Sequence, residues 1–231
     1  LGGKAPVIVF DDADIEAAVA GISGAGFFNA GQDCTAATRV LVGPRAYADF
    51  VAALAEQAKA TRTGVPDDED VLYGPVNNQN QLAHVSGFID RAPKHARIVA
   101  GGSRFGSTGY FFEPTVFCDV SAEMDLFQQE VFGPVIAITP FDTEQQAWEL
   151  ANGTDYGLVA GIFSKDINHC LRGIRELKAG QVFVNEWYAG GIETPFGGTG
   201  LSGFGREKGQ EALYNYVRSK NVAIRVAASP D

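Results

Sequence analysis

Cysteine is scarce in this sequence, and the spacing of the few cysteines excludes two kinds of site. The 231 residues include three cysteines, Cys34, Cys118 and Cys170. Because the number is odd and the sequence has no CxxC or CxxH spacing, neither a disulfide framework nor a zinc site is indicated, and we expect no metal. Unpaired thiols are typical of a reducing compartment, so we expect a cytoplasmic protein.

Basic residues and long apolar runs are also lacking. The chain has 18 lysines and arginines against 28 aspartates and glutamates, a formal net charge of −10. Such a balance argues against nucleic acid as a partner. No apolar run approaches the ~20 residues needed to cross a bilayer, and the first residues lack the pattern of a secretion signal. We therefore expect neither membrane insertion nor export.

Short apolar runs instead alternate with amphipathic segments, and this alternation predicts the fold class. Strands joined by helices of ~10 to 15 residues form a mostly parallel sheet, because each crossover helix buries its apolar stripe against that sheet. We expect a three-layer α/β fold with helices on both faces. Helices are predicted over 11–28, from 46 onward, over 79–92, 143–152 and 167–177, and near 209–214. Strands are predicted at 7–10, 39–42, 97–100, 158–163 and 181–185, around Pro114, and within "GPVIAITPF".

The last part of the chain differs from the rest in composition. After Asn185 the sequence is rich in glycine, and "GTGLSG" (198–203) has the letters of a dinucleotide-binding fingerprint. That fingerprint needs a buried strand before it, and residues 192–195 are not one. The residues 204–231 that follow are too few for a βαβ unit with an acidic ribose ligand, so we interpret the segment as a loop that needs glycine conformations. Alternating apolar residues in 216–226 predict a late strand that pairs with another chain.

One cysteine lies in polar surroundings. Within "GFFNAGQDCTAATRV", Cys34 is flanked by Asp33 and Thr35 and lies between a predicted helix and a predicted strand. Asp and Thr favour turns, and a turn gives a thiol access to solvent. Cys34 is therefore a candidate nucleophile, whereas Cys118 and Cys170 are interpreted as buried structural residues.

Several separate strings then match one family in the right order. They are "LGGKAP" (1–6), "FFNAGQDC" (27–34), "FFEPTV" (111–116), "QEVFGPV" (129–135), "ANGTDYGL" (151–158), "ETPFGG" (193–198) and "SGFGREKG" (202–209). Together they make the chain resemble the C-terminal, catalytic part of the NAD(P)-dependent aldehyde dehydrogenase superfamily. The resemblance runs nearly from end to end.

The resemblance implies a reaction and a set of site residues. Cys34 would add to an aldehyde carbonyl to give a thiohemiacetal, pass hydride to the nicotinamide of NAD or NADP, and leave a thioester that water hydrolyses to the acid. The backbone N–H of Cys34 would be one donor to the oxyanion. Residues implied to bind the cofactor are Leu1, Gly2, Gln81, Glu130 and Phe132, of which Glu130 would hydrogen-bond the nicotinamide ribose.

Substrate choice is less specific. The family resemblance places Trp187, Tyr188 and Phe196 in the loop that shapes the aldehyde tunnel. Aromatic walls with Glu186 and Glu193 nearby would suit a cationic aminoaldehyde, by cation–π contact and charge attraction. An aromatic tunnel for assorted neutral aldehydes fits the same residues.

The resemblance also implies that the chain is a fragment. The family's general base is a glutamate immediately before LGGK, and this chain begins at that leucine. We expect a catalytic domain over 1–213, an oligomerisation strand and tail over 214–231 that makes a dimer or tetramer, and an N-terminal cofactor-binding domain that is absent here. Alone, such a chain is expected not to bind NAD(P) and to be inactive.

Two other functions are compatible with the residues. Cys34 could act as a thiol hydrolase with His84, His95 or His169. The chain could also be a catalytically silent module that assembles subunits through its last strand.

Overall fold

A seven-stranded sheet forms the centre of the molecule. The computed structural model describes residues 2–226; Leu1 and 227–231 lie outside the described residues, including the predicted cofactor contact of Leu1. The strands are β1 (Pro6–Val9), β2 (Arg39–Val42), β3 (Arg97–Ala100), β4 (Thr115–Cys118), β5 (Val135–Pro140), β7 (Val159–Phe163) and β8 (Gln181–Val184), and β6 (Tyr156–Gly157) pairs with β9 (Thr199–Gly200) in a separate ribbon.

The order of the strands confirms the mostly parallel sheet. It runs β3-β4-β5-β2-β1-β7-β8, and every neighbouring pair is parallel except β3 with β4. The strands β1, β2 and β7 are buried at every residue. Continuous burial of central strands is what a sheet covered on both faces requires, as the sequence predicts.

Helices cover both faces of the sheet. They are α1 (Ile15–Phe27), α2 (Tyr47–Ala60), α3 (Gln79–Asp90), α4 (Asp125–Gln128), α5 (Glu144–Ala151) and α6 (Ile167–Glu176). The step from β1 to β2 moves along the sheet in one direction, and the steps from β5 to β7 and β7 to β8 move in the other. Because such crossovers are right-handed, α1 lies on one face and α5 and α6 on the opposite face.

Capping side chains explain where helices begin. Helix α1 starts later than the predicted residue 11, because Asp14 is its cap and accepts the Ala17 N–H at 3.1 Å. Asp11 instead accepts the backbone N–H groups of Arg45 and Ala46, at 2.8 and 3.1 Å. Within this acidic stretch Asp14 therefore opens the helix, as the sequence predicts, and Asp11 joins two connections.

The glycine-rich "GTGLSG" segment is a loop with a two-residue strand and no following helix, as its context indicates. Gly200 and Gly203 have φ angles of +59° and +87°, in the region that glycine adopts easily. Ser202 fixes this loop to the start of the chain, since its Oγ donates to the Gly2 carbonyl at 2.7 Å and accepts the Gly157 N–H at 3.1 Å.

The predicted helix near 209–214 is a 3-10 helix over Gln210–Asn215. Beyond it, residues 216–226 have no partner strand within the described chain, and their side chains are exposed. Pairing with another chain stays a prediction.

A buried arginine joins the sheet to α5. Arg39, at the start of β2, is fully buried and donates to the carbonyls of Lys4, Leu150 and Ala151 at 3.1, 2.6 and 2.8 Å. Its guanidinium lies 4.6 Å from the centre of the Phe127 ring. One buried side chain therefore donates to three main-chain acceptors, of which the Leu150 carbonyl also accepts the Gly153 N–H at 3.1 Å.

Candidate active site

Two consecutive glycines bring Cys34 and Glu130 to the same place. The Gly3 N–H donates to Oε1 of Glu130 at 2.9 Å. A Cβ at Gly3 would collide with the carbonyl oxygen of Cys34, and a Cβ at Gly2 would collide with Oε2 of Glu130. Gly2 also has a φ angle of +122°. Glycine is required here because any side chain would push the two loops apart.

These loops lie at an unusual edge of the sheet. Gly2–Gly3 precede β1, Cys34 precedes β2, and Glu130 precedes β5. The three strands are parallel neighbours, so their amino ends lie side by side. Ligands of open α/β sheets usually bind beyond the carboxyl ends of the strands. This candidate site is therefore built at the opposite edge.

A left-handed turn delivers Cys34 to this edge. Asn29, Ala30 and Gly31 have φ angles of 50°, 57° and 68°. At Gly31 the left-handed conformation brings the backbone so close to Gly133 that a Cβ would overlap the Gly133 carbonyl. Left-handed conformations cost roughly 1–2 kcal/mol for residues that carry a Cβ. The turn is therefore held by the packing around it.

The Cys34 side chain is exposed, as predicted, whereas Cys118 and Cys170 are buried. Partial burial of the sulfur, then the charges of Asp33 and Glu130, raise the pKa of the Cys34 thiol above its ordinary value. No lysine, arginine or histidine of the described residues opposes this effect. The thiol of this chain is therefore accessible but is held in its protonated form.

The Cys34 backbone offers one further group. Its N–H lies close enough to its own sulfur to favour the thiolate. It donates no hydrogen bond to another residue between 2 and 226. This N–H is therefore free to donate to an oxygen bound beside the sulfur.

Asp33 connects the cysteine loop to the predicted substrate loop. Its Oδ1 accepts the Thr35 N–H and hydroxyl, both at 2.8 Å, and its Oδ2 accepts the Tyr188 hydroxyl at 3.1 Å. Trp187 Nε1–H donates to the Thr35 carbonyl at 3.1 Å. Tyr188 has a φ angle of 62°, and its ring meets the exposed Phe28 ring edge-on with centres 6.2 Å apart. Trp187 and Tyr188 therefore lie beside Cys34.

Phe196 is a more distant member of the predicted substrate set. It packs with Trp187 against a small apolar cluster that includes Leu158 and Phe183. The Lys208 ammonium lies 5.6 Å from the centre of its ring. Phe196 and Trp187 therefore share this cluster, and of the two it is Trp187 that hydrogen-bonds the cysteine loop.

The predicted cofactor residues with described positions also come together. Gln81 Nε2 donates to the carbonyls of Val131 and Phe132 at 3.1 and 2.8 Å, so it holds the segment that follows Glu130. Phe132 is exposed and has a φ angle of 52°. Burial raises the pKa of Glu130, against the opposing effects of the Gly3 N–H and the Lys4 charge. A carboxylate and an aromatic ring are thus presented on one short strained segment.

Comparison with known proteins agrees with this arrangement. A family model described as "Aldehyde dehydrogenase family" matches residues 1–222, which is most of the chain. The chain belongs to the aldehyde dehydrogenase family. This membership confirms the resemblance found in the sequence motifs.

Relatives within the family share two fifths or more of the sequence. A betaine aldehyde dehydrogenase of Cereibacter sphaeroides is 44% identical over 97% of this chain and 47% of its own length. An aldehyde dehydrogenase of Emericella nidulans is 43% identical, over 98% of this chain and 46% of its own length. The chain spans about half the length of the curated relatives it matches.

Solved structures of the family share the fold. The betaine aldehyde dehydrogenase of Staphylococcus aureus in complex with NAD+ superposes with a TM-score of 0.92 at 41% identity, covering 95% of this chain and 45% of that one. The NAD+ complex of an aldehyde dehydrogenase from Bacillus cereus gives 0.94 at 38% identity, covering 98% and 46%. These similarities confirm the α/β fold with its mostly parallel sheet.

Sequence reasoning missed two members of this candidate site. Asp33 was considered as a turn residue, and Phe28 was not singled out, yet both contact Tyr188. The acids proposed instead, Glu186 and Glu193, have no described contact with the cysteine loop. The signal for Asp33 was its place next to the candidate nucleophile, but its orientation depends on Tyr188, which is 155 residues away.

The histidines lie elsewhere. His169 stacks on Phe10 with ring centres 4.4 Å apart and contacts Glu144. His84 meets Phe88 edge-on, and none of the three histidines hydrogen-bonds or acts electrostatically on Cys34 within the described chain.

No helix among residues 2–226 is long and apolar enough to cross a membrane.

Proposed function

We propose that this chain is the nucleophile-bearing part of an enzyme that oxidises an aldehyde to a carboxylic acid with NAD(P)+. The observation that carries the proposal is the junction at Gly2–Gly3, which holds the exposed Cys34 loop against the Glu130 loop. A nucleophile and a ribose-binding acid must be neighbours if hydride is to leave a carbon attached to the sulfur. Family membership supports the same roles.

The covalent chemistry belongs to Cys34. Its thiolate forms a C–S bond to the carbonyl carbon, and the carbonyl oxygen becomes an oxyanion that can accept a hydrogen bond from the free N–H of Cys34. After oxidation, water breaks the C–S bond of the thioester, which releases the carboxylic acid and restores the thiol.

The residues present fit the nicotinamide half of the cofactor. Oε1 of Glu130 is fixed by the Gly3 N–H, and Oε2 makes no hydrogen bond to the described residues, so it can accept from a ribose hydroxyl. The exposed ring of Phe132 offers a flat apolar surface beside it. Bound NAD(P)+ would supply the hydride acceptor.

The raised pKa of Cys34 indicates what the rest of an active enzyme must add. A catalytic thiol needs a base or a nearby positive charge, and among the described residues the charges that act on Cys34 are negative. This supports the expectation that the chain alone is inactive. We propose that a further domain supplies the base and the remaining cofactor contacts.

We further propose that the substrate is a cationic aldehyde such as an aminoaldehyde. Trp187 and Tyr188 place aromatic surfaces beside Cys34, and aromatic faces attract ammonium groups. The name of the Cereibacter relative specifies betaine aldehyde, which carries a quaternary ammonium group.

The test compares Cys34→Ala with Cys170→Ala in the complete protein, meaning this chain together with its upstream half. We expect Cys34→Ala to lose about 10³-fold or more of the aldehyde oxidation rate, because the nucleophile is removed. Cys170 is buried away from the site, so Cys170→Ala should retain the rate. Mass spectrometry after a short reaction should find the acyl group on Cys34.

Other outcomes would support the alternatives. Activity retained by Cys34→Ala would reject the proposal. An absence of oxidation with every aldehyde tested, in a folded complete protein, would favour the silent assembly module. Hydrolysis of thioesters or amides without NAD(P)+, lost on replacing one histidine, would favour the thiol hydrolase.

A further inference from the structure

The carboxylate beside the nucleophile is unusually well fixed. Both oxygens of Asp33 accept hydrogen bonds, Oδ1 from two groups of Thr35 and Oδ2 from the Tyr188 hydroxyl. Burial, then the charge of Asp33, raises the pKa of Tyr188, so this phenol stays a donor. An anion held by three donors from two loops has little freedom to turn away from its neighbour.

The position of Asp33 relative to Cys34 sets what it could contact. The Asp33 carboxylate acts on the Cys34 thiol both by its charge and as a hydrogen-bond partner, so a carbonyl group attacked by the Cys34 sulfur lies within a few ångströms of the Asp33 side chain. A substituent one to three carbons from that carbonyl would reach the space between Asp33, Tyr188 and Trp187. This space combines one negative charge with aromatic surface.

The charges around the sulfur are unbalanced. The charges of Asp33 and Glu130 both act on Cys34, Tyr188 is neutral, and no cation of residues 2–226 acts on the thiol. Glu130 has the Gly3 N–H and the Lys4 charge acting on it, whereas Asp33 has only neutral donors. Asp33 is thus the anion at this site that lacks a positive partner in the described chain.

We propose that Asp33 is the specificity-determining residue of this site and is the counter-ion for a positive group one to three carbons from the carbonyl of the aldehyde. The inference rests on the proposed function and adds to it the residue that selects the substrate. It has a second consequence. An ammonium group bound at Asp33 offsets the charge that keeps Cys34 protonated, so the thiol loses its proton to water more readily when the correct substrate arrives.

The closing experiment uses two aldehydes of the same shape. Betaine aldehyde and 3,3-dimethylbutanal differ in that a quaternary nitrogen replaces a quaternary carbon. In the complete protein, Asp33→Asn should lower kcat/KM for betaine aldehyde by roughly 10- to 100-fold, the usual range for losing a hydrogen-bonded or charged partner. The value for 3,3-dimethylbutanal should stay the same or rise. Asp33→Glu keeps the charge and should recover part of the preference.

A readout on the thiol separates charge selection from a structural role. Alkylation of Cys34 by the neutral reagent iodoacetamide, measured against pH, should shift to lower pH in Asp33→Asn, with a rate roughly three- to tenfold higher at pH 7.5. The exposed Asp67→Asn variant changes the net charge equally and should leave the profile unchanged.

Each outcome has one meaning. Equal losses for both aldehydes in Asp33→Asn, or an unchanged alkylation profile, would overturn the role of Asp33 while leaving aldehyde oxidation by Cys34 intact. Failure of the unmodified complete protein to oxidise either aldehyde would instead overturn the proposed function itself.

Discussion

The sheet and the loops at its amino edge differ in how their backbones are held. The central strands are buried, paired on both sides and regular in conformation. The residues other than glycine with positive φ all lie outside the strands and α-helices, and four of them, Asn29, Ala30, Phe132 and Tyr188, surround the candidate site. Stability is therefore concentrated in one region and backbone strain in the other.

This difference teaches how the site is kept in shape. Strained conformations persist only where the surrounding structure determines them. Here the sheet supplies that support, because the loops are attached directly ahead of β1, β2 and β5. Changes to the sheet should thus lower the stability of the whole domain, whereas changes to the loops should disturb the site at a smaller cost in stability.

Arg39→Met should destabilise the sheet, and with it the whole domain. The change removes the guanidinium donor from the carbonyls of Lys4, Leu150 and Ala151, of which Leu150 alone keeps a main-chain donor among residues 2–226, the Gly153 N–H. We expect the free energy of unfolding to fall by about 3–5 kcal/mol, measured by urea denaturation. The control is Arg45→Met, whose side chain is 82% exposed and should cost less than about 1 kcal/mol. Similar values for the two variants would contradict the role assigned to Arg39.

Lys4 links the two regions, since it follows Gly3 and is buried beneath the site. Burial, then the charge of Arg39, lowers the pKa of Lys4 to about 7. The unfolded chain therefore binds more protons than the folded chain between pH 7 and about 10.5. Burial of Lys4 thus costs stability in full below pH 7, and the cost shrinks as pH rises to about 10.5.

Replacing Lys4 with methionine should remove this dependence. We expect Lys4→Met to be more stable than the unmodified chain by about 2–4 kcal/mol at pH 7, with the difference shrinking towards pH 10. The two proteins share every other titratable group. Their difference in stability at each pH is therefore free of the effects of tyrosine and cysteine titration. A constant difference across this range would show that Lys4 keeps its charge by another route.

The parts of the fold that local patterns determine could be predicted from the sequence. Strand β2 and strand β3 begin and end at the predicted residues, since apolar runs closed by Gly-Pro or Gly-Gly leave little choice. Helix α4 was missed because four residues give no periodicity. The strand around Pro114 is shorter than the apolar run "GYFFEPTVF", because proline has no N–H for the ladder and the strand begins after it.

The site could be predicted in its members but not in its arrangement. Motifs indicated Cys34, Glu130 and the aromatic loop, and the roles of these residues in catalysis stay predictions. Their convergence depends on the absence of side chains at Gly2 and Gly3 and on contacts across more than 120 residues, such as that between Gly3 and Glu130. A single sequence does not show which distant residues are in contact. The contact between Asp33 and Tyr188 could therefore not be predicted from it.

The smallest expected effect concerns the strained loop that carries Cys34. The test compares two glycines with nearly the same φ angle. Gly31 and Gly106 have φ angles of +68° and +71°. A Cβ at Gly31 would overlap the Gly133 carbonyl, whereas a Cβ at Gly106 would meet nothing within 4 Å. Gly106→Ala should therefore cost about 1 kcal/mol from its backbone conformation alone, and Gly31→Ala about 2–3 kcal/mol because Gly133 must also move. Since Gly31 precedes Cys34 by three residues, Gly31→Ala should in addition change the rate of iodoacetamide labelling, and Gly106→Ala should not. Equal stability losses with equal labelling would mean that the cysteine loop is not held against the segment before β5, and the contrast between a supporting sheet and supported loops would fail at its most direct contact.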